Sequence, residues 1–161
     1  MTVKEYNHCV DLYADGVYRF ILKNIRDDDH ARDIVQEAFA RMWEKAASVD
    51  FEKGRSYLFT AAYHIMIDDI RKEKHQQNYQ VRAELNTHAE NEYSDLKEIL
   101  DEAVEKLPEI QRSVVMLRDY EGYSYKEIGE ITGLNESQVK VYIYRARVFL
   151  KNYLVSIDRV I

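Results

Sequence analysis

The chain has 161 residues and a mass of 19.1 kDa, with 23 Lys and Arg against 29 Asp and Glu and a formal net charge of −6. That length excludes a large multidomain machine, and an apolar content of 46 % excludes disorder throughout. Five Gly and one Pro argue against many strands and tight turns, so an all-α fold is expected, and the acidic balance reads at first as an argument against nucleic acid.

Tyr6, Val10, Tyr13, Val17, Phe20 and Ile21 fall at helical spacings and predict an amphipathic helix of about five turns. Asp27, Asp28 and Asp29 break it and supply carboxylates to the start of a second helix. That helix carries Ala31, Ile34, Val35, Ala38, Phe39, Met42 and Trp43, with Trp43 read as core. A loop over 47–55 follows, with Gly54 as its expected bend. A third helix, 56–74, is expected to bury Leu58, Ala61, Ala62, Ile65 and one of Ile67 and Ile70.

Residues 75–94 are polar and short of aliphatic side chains, so they read as a linker between modules 1–74 and 95–161. The alternative is an exposed helix continuing from residue 74. The acidity concentrates around this stretch: 1–74 is net −2, 75–106 is −5 and 107–161 is +1.

The second module opens with a helix over 95–106 that uses Leu96, Ile99, Leu100, Ala103 and Val104, with Leu107 just beyond. Pro108 suits the first position of the next helix, where its missing N–H leaves nothing unpaired. That helix contains Ile110, Val114, Val115 and Leu117 and ends near Gly122. Ser124 and Glu127 then form a capping box, and Asn135 and Gln138 repeat the device for a second short helix. Gly129 permits close approach by another helix, and Gly133 supplies the turn. Two capped helices around Thr132-Gly133-Leu134 make a helix-turn-helix.

Val139, Ile143, Ala146 and Leu150 form the buried stripe of the second of these helices. Lys140, Tyr144, Arg147 and Lys151 repeat outward, with Arg145 beside them. Residues 136–151 hold four basic groups and one acid, a local charge of +3 suited to the major groove. A solvated basic face on a helical hairpin is the competing reading, and the two caps with the turn glycine favour DNA.

Leu107-Pro108-Glu109-Ile110-Gln111-Arg112, Glu121 to Ile128 and Val139 to Arg147 resemble the fourth-region domain of bacterial sigma factors. Asp33 to Trp43, Tyr57-Leu58-Phe59 and Ile67 to Lys72 resemble the second region of the same family. The short interval between the modules leaves no room for a third region, which makes the chain similar to the extracytoplasmic-function (ECF, group 4) type.

The resemblance implies a promoter-specificity subunit of RNA polymerase, with two small helical domains. Asp33, Gln36, Glu37 and Arg41 would dock on the β′ clamp-helix coiled coil of core RNA polymerase. The loop before the third helix would capture a flipped base of the −10 element. Phe51 or Tyr57 would stack on it, at roughly 1–3 kcal/mol, although Phe51 is equally able to cap the small core. Arg55, Ser56, Thr60, Tyr63, His64, Arg71 and Lys72 would face the melted strand. Tyr57, Tyr63 and His64 stand where many relatives carry other residues, which alters the strand contacts. Lys140, Val141, Tyr144 and Arg145 match positions that read the −35 element, and Arg147 and Lys151 fit phosphates. An anti-sigma factor is a candidate partner on the same ground.

Other classes fare less well. His8, His30, His64, His75 and His88 form no ligand-like pair, no Gly-rich phosphate loop occurs, and no nucleophile has an assignable base. No enzyme, metal or cofactor is expected. A polymerase-independent helix-turn-helix regulator would share the C-terminal module but not the first. Cys9 alone makes no internal disulfide, the N-terminus lacks the apolar stretch of a signal peptide, and no apolar run spans a membrane, so a cytoplasmic protein with no membrane insertion is expected. An acidic chain should grip DNA weakly when free, which predicts dependence on a partner.

Overall fold

The computed structural model describes residues 1–77 and 95–158, and among these every regular element is helical. The first module is α1 (Val3–Ile25), α2 (Asp28–Glu44) and α3 (Gly54–Gln77); the second is α4 (Asp95–Glu105), α5 (Glu109–Val115), α6 (Tyr125–Thr132) and α7 (Glu136–Asp158).

Local chemistry sets the helix ends. The Thr2 hydroxyl accepts from the Glu5 N–H at 3.1 Å, and the Glu5 carboxylate accepts from the Thr2 N–H at 2.8 Å, a capping box that starts α1. Arg26 ends α1 in the left-handed region (φ 55°), so the chain reverses within two residues. Asp27 then caps α2 by accepting from the His30 N–H at 3.2 Å. His30 in turn pairs with Asp69 at 2.9 Å, tying the start of α2 to α3.

The connection from α2 to α3 differs from the expected loop. It consists of two 3-10 turns, Ala46–Ser48 and Phe51–Lys53, and Gly54 is no bend: its backbone is right-handed helical (φ −59°, ψ −44°) and α3 begins there. The glycine is there for space. A Cβ at Gly54 would lie 2.7 Å from Cys9 Sγ, where α1 crosses the start of α3.

Several burial expectations also shift. Trp43 is half exposed, at 50 %, and meets Tyr6 with ring centroids 4.9 Å apart and ring planes inclined at 67°, because it sits at the margin of α2's buried stripe. In α3, Leu58, Ala62 and Ile65 are buried as expected, but so are Phe59, Tyr63 and Met66, while Ala61, Ile67 and Ile70 are only partly covered. Leu96 at the start of α4 is exposed, and Pro108 precedes α5 as its N-cap residue instead of entering the first turn.

After α5 the helix widens into a π segment, Met116–Tyr120, and Gly122 turns the chain at φ 75°. Val114, Leu117, Ile128, Ile131, Val139, Ile143 and Ala146 fill the second core. Fully burying one such aliphatic side chain is worth about 1.5–3 kcal/mol.

The two modules are not independent. α3 lies on α6 and α1 on α5, and one apolar cluster runs through both modules. Phe59 meets Tyr123 edge-on at 5.5 Å, which explains the extra burial in α3. The Ser113 hydroxyl donates to Asn24 Oδ1 at 3.2 Å, and both residues are buried. Of the expected linker, 78–94 lies outside the described residues, while α3 continues to Gln77.

Candidate nucleic-acid interface

The helix-turn-helix is built by paired local signals. Ser124 Oγ accepts from the Glu127 N–H at 3.1 Å while the Glu127 carboxylate accepts from the Ser124 N–H at 3.0 Å. The second cap is also reciprocal: Asn135 Oδ1 accepts from the Gln138 N–H at 2.8 Å, and Gln138 Oε1 from the Asn135 N–H at 3.0 Å. Gly133 closes α6 in the left-handed region (φ 81°). Gly129 does serve close approach, but to the turn itself instead of another helix, since a Cβ there would meet the Leu134 carbonyl oxygen at 2.7 Å.

These constraints fix which side of α7 faces out. Val139, Ile143 and Ala146 are buried, Leu150 is partly so, and Lys140, Val141, Tyr144, Arg145, Arg147 and Lys151 are all exposed. Tyr144 leaves 69 % of its surface open. Two of the cations already have acidic neighbours. Lys140 Nζ lies 3.7 Å from Glu136 and 5.7 Å over the Tyr125 ring, and Arg147 donates to both carboxylate oxygens of Asp119 in the π segment.

On α2, Asp33, Gln36, Glu37 and Arg41 are all exposed opposite the buried stripe, and Glu37 pairs with Arg41 at 2.8 Å. That exposed pair adds only a few tenths of a kcal/mol to the helix and orders the polar face.

The residues expected at the melted strand divide into three sets. His64, Arg71 and Lys72 are exposed. Phe51, Ser56, Tyr57 and Thr60 are half-buried, with Phe51 stacked on His8 at 5.5 Å. Arg55 and Tyr63 lie against the second module. The Arg55 guanidinium donates to the Glu121 carbonyl at 2.8 Å and its carboxylate at 3.3 Å, and sits 4.3 Å over the Tyr123 ring. Tyr63 is 5 % exposed, and burial, then the charge of Glu109, raises its pKa. Burial pushes the Tyr123 phenol up to about 12, against the pull of Arg55 and of the Ser56 side chain beside its hydroxyl.

Sequence reasoning missed Glu121, Tyr123 and His8. Glu121 and Tyr123 stand within a quoted motif, but nothing local points to a partner 66 residues away. The spacing of His8 on α1 and Phe51 in the loop likewise carries no local signal. Among the described residues, no group of three or more His, Cys, Asp or Glu is placed to hold a metal ion, and no helix is long and apolar enough to cross a membrane.

The fold and the outward α7 face define a two-module helix-turn-helix protein of the DNA-binding class. Residues 9–76 match the family description Sigma-70 region 2, and residues 97–150 match Sigma-70, region 4. The chain is 31 % identical to the ECF RNA polymerase sigma factor SigW of Bacillus subtilis, covering 90 % of this chain and 86 % of that one. It is 29 % identical to SigM of the same organism over 94 % of both chains. The sigma factor RpoE of Bartonella quintana, solved with the anti-sigma factor NepR, shares the fold at a TM-score of 0.81 and 24 % identity, covering 94 % of this chain and 98 % of that one. The chain belongs to the ECF sigma factors, the promoter-specificity subunits of RNA polymerase.

Proposed function

We propose that the work of promoter recognition is divided between the modules as their exposed faces are. The α2 face of Asp33, Gln36, Glu37 and Arg41 docks on the β′ clamp helices of core polymerase. The connection before α3, together with Phe51, Arg55, Ser56, Tyr57, Thr60, Tyr63, His64, Arg71 and Lys72, takes the −10 element and its melted strand. The α7 face of Lys140, Val141, Tyr144 and Arg145 reads −35 bases, and Arg147 and Lys151 hold phosphates. One observation carries this reading: α7 presents a basic, outward face fixed by two capping boxes, on a different module from the polar face of α2.

The chain then converts no substrate and needs no cofactor. Its place of work is the cytoplasm, where polymerase and promoter DNA are, and an anti-sigma factor is the expected regulator. The test is in-vitro transcription with core polymerase on a promoter library. Defined starts should appear only with the chain present. Arg41→Glu should abolish co-elution with core polymerase, and Arg145→Ala should spare co-elution but lose −35 dependence. Absence of initiation from every promoter would overturn the reading.

A further inference from the structure

We infer that α1, which the −10 assignment above leaves out, completes the base-capture site: a flipped base carrying an exocyclic amino group stacks on the His8–Phe51 ring pair and is selected by Asp11. This rests on the reading of Phe51 as part of the −10 site.

His8 lies on the outward face of α1 and Phe51 in the 3-10 turn before α3. Their rings are nearly parallel, inclined at 19° with centroids 5.5 Å apart. Phe51 is half-buried and packs on the core, whereas His8 is exposed. The pair is therefore a platform with a fixed floor and an open upper ring, the form in which aromatic side chains take up an unpaired base. It borders a cleft of about 510 Å³ lined by Lys4, Glu5, Asn7, His8, Asp11 and Phe51. That volume is within the range of sites that hold one small ligand. Helical period explains the lining: Lys4, Asn7, His8 and Asp11 fall at i, i+3, i+4 and i+7, so one face of α1 turns all four toward the connection before α3.

A mere cover for Phe51 would need only apolar surface, yet polar groups surround the rings. Glu5 is spent on the α1 capping box, where its carboxylate accepts from the Thr2 N–H. Asn7 and Asp11 make no side-chain hydrogen bond or ion pair among the described residues, so both are available to a ligand. Lys4 supplies a cation for a neighbouring phosphate. Asp11 decides which base is held. An ionised carboxylate only accepts, so it pairs with the amino group of cytosine, adenine or guanine. Thymine has no amino group and sets carbonyl oxygens on both sides of its one N–H. The carboxylate also repels the strand's phosphates, so a base that cannot pair with it is selected against.

The test uses holoenzyme assembled from the full chain and core polymerase, on a promoter it transcribes. Each non-template −10 base is replaced in turn by an abasic site, and open-complex formation is measured with wild type and Phe51→Ala. The captured base is the one whose abasic penalty Phe51→Ala abolishes, and an amino-bearing base should be preferred to thymine there. His8→Ala should lower open-complex formation about ten-fold with that base present and leave it unchanged on the abasic promoter. His8→Phe, which restores a flat ring, should recover most of the loss. Asp11→Asn should shrink the preference over thymine about ten-fold, chiefly by a gain on thymine, because an amide can donate to a carbonyl oxygen. Asp15→Asn, one turn farther along α1 and outside the cleft, makes the same charge change and should keep the preference. His8 and Asp11 are exposed, so the melting temperatures of these variants should stay near that of wild type.

A preference for thymine at the captured position, equal losses in His8→Ala with and without the base, or an unchanged preference in Asp11→Asn would overturn the inference. The −10 reading fails separately. If Phe51→Ala abolishes the abasic penalty at no position, the assignment of Phe51 falls; if it does so at one position and His8→Ala behaves there like wild type, only the role of α1 falls.

Discussion

Arg147 on α7 and Asp119 in the π segment form a bidentate ion pair, with guanidinium nitrogens 2.5 and 3.2 Å from the two carboxylate oxygens. The hydrogen bonds from Arg147 to Asp119 also raise the arginine pKa further. Both side chains are about half exposed, so the pair stabilises the module by no more than about 1 kcal/mol after solvent screening. Its larger effect is on DNA, because a phosphate must compete with Asp119 for the same two donors. Asp119→Ala should therefore tighten binding to a −35 duplex by a few-fold and steepen its salt dependence by about one phosphate contact. Salt titrations of wild type, Asp119→Ala and Arg147→Ala check this, and an unchanged slope in Asp119→Ala would remove Arg147 from the phosphate contacts.

Gly54→Ala tests the crossing of α1 over α3. The added methyl would stand 2.7 Å from Cys9 Sγ, with Met1 Cε at 3.4 Å and Met42 Sδ at 4.0 Å. Overpacking of this kind costs about 1–3 kcal/mol, and helix propensity alone would have favoured Ala. Cys9→Ala should recover most of the loss in the double variant, because the methyl then occupies the space of the sulfur. A thermal-unfolding double-mutant cycle measures the coupling. A neutral Gly54→Ala would show that the helices separate freely at this point.

What the sequence made legible was local. The capping residues Ser124, Glu127, Asn135 and Gln138 act within four positions of each other, so their pattern names the helix starts before any packing is known. The buried stripe of α7 follows from helical period in the same way. Gly54 was misread because glycine marks either backbone freedom or lack of volume, and only the position of Cys9 decides between them. Phe59 and Tyr63 escaped because α3 is covered on more than one side. Its third face is buried by Tyr123 and its surroundings, a contact made by distant chain. Trp43 shows the converse: an aromatic residue at helical spacing looked like core and is half exposed.

The capping boxes predict a pH dependence. Hydrogen bonds from the Ser124 backbone and side chain lower the pKa of Glu127, and the Thr2 backbone does the same for Glu5. A carboxylate whose folded pKa is depressed contributes stability that is complete above its unfolded pKa. That contribution is lost as pH falls through the depressed folded value. Acidification should therefore fray the starts of α1 and α6 before the cores open. Backbone amide exchange at Glu5 and Glu127 followed down the acid limb would show it, and Glu127→Gln should flatten the response at α6 while leaving α1 unchanged. Protection independent of pH at both sites would contradict the assignment.

The two faces of α7 give the last separation, between folding and reading. Val139 is fully buried and touches the space beside Gly129, so Val139→Ala leaves a cavity and should cost about 2 kcal/mol of module stability. Arg145 is exposed, and its truncation should leave the melting temperature within the scatter expected of a surface change. On DNA the order reverses. Arg145→Ala should cost about 1–3 kcal/mol at one position of the −35 element and relax sequence preference there, because a base-edge contact is lost. Val139→Ala, at temperatures where the module is still folded, should keep the wild-type preference and lose only occupancy. Melting curves and competition binding on a set of single-base −35 variants measure both quantities. Equal losses of stability with unchanged preference in Arg145→Ala would move the reading contact to Lys140, Val141 or Tyr144 on the same outward surface.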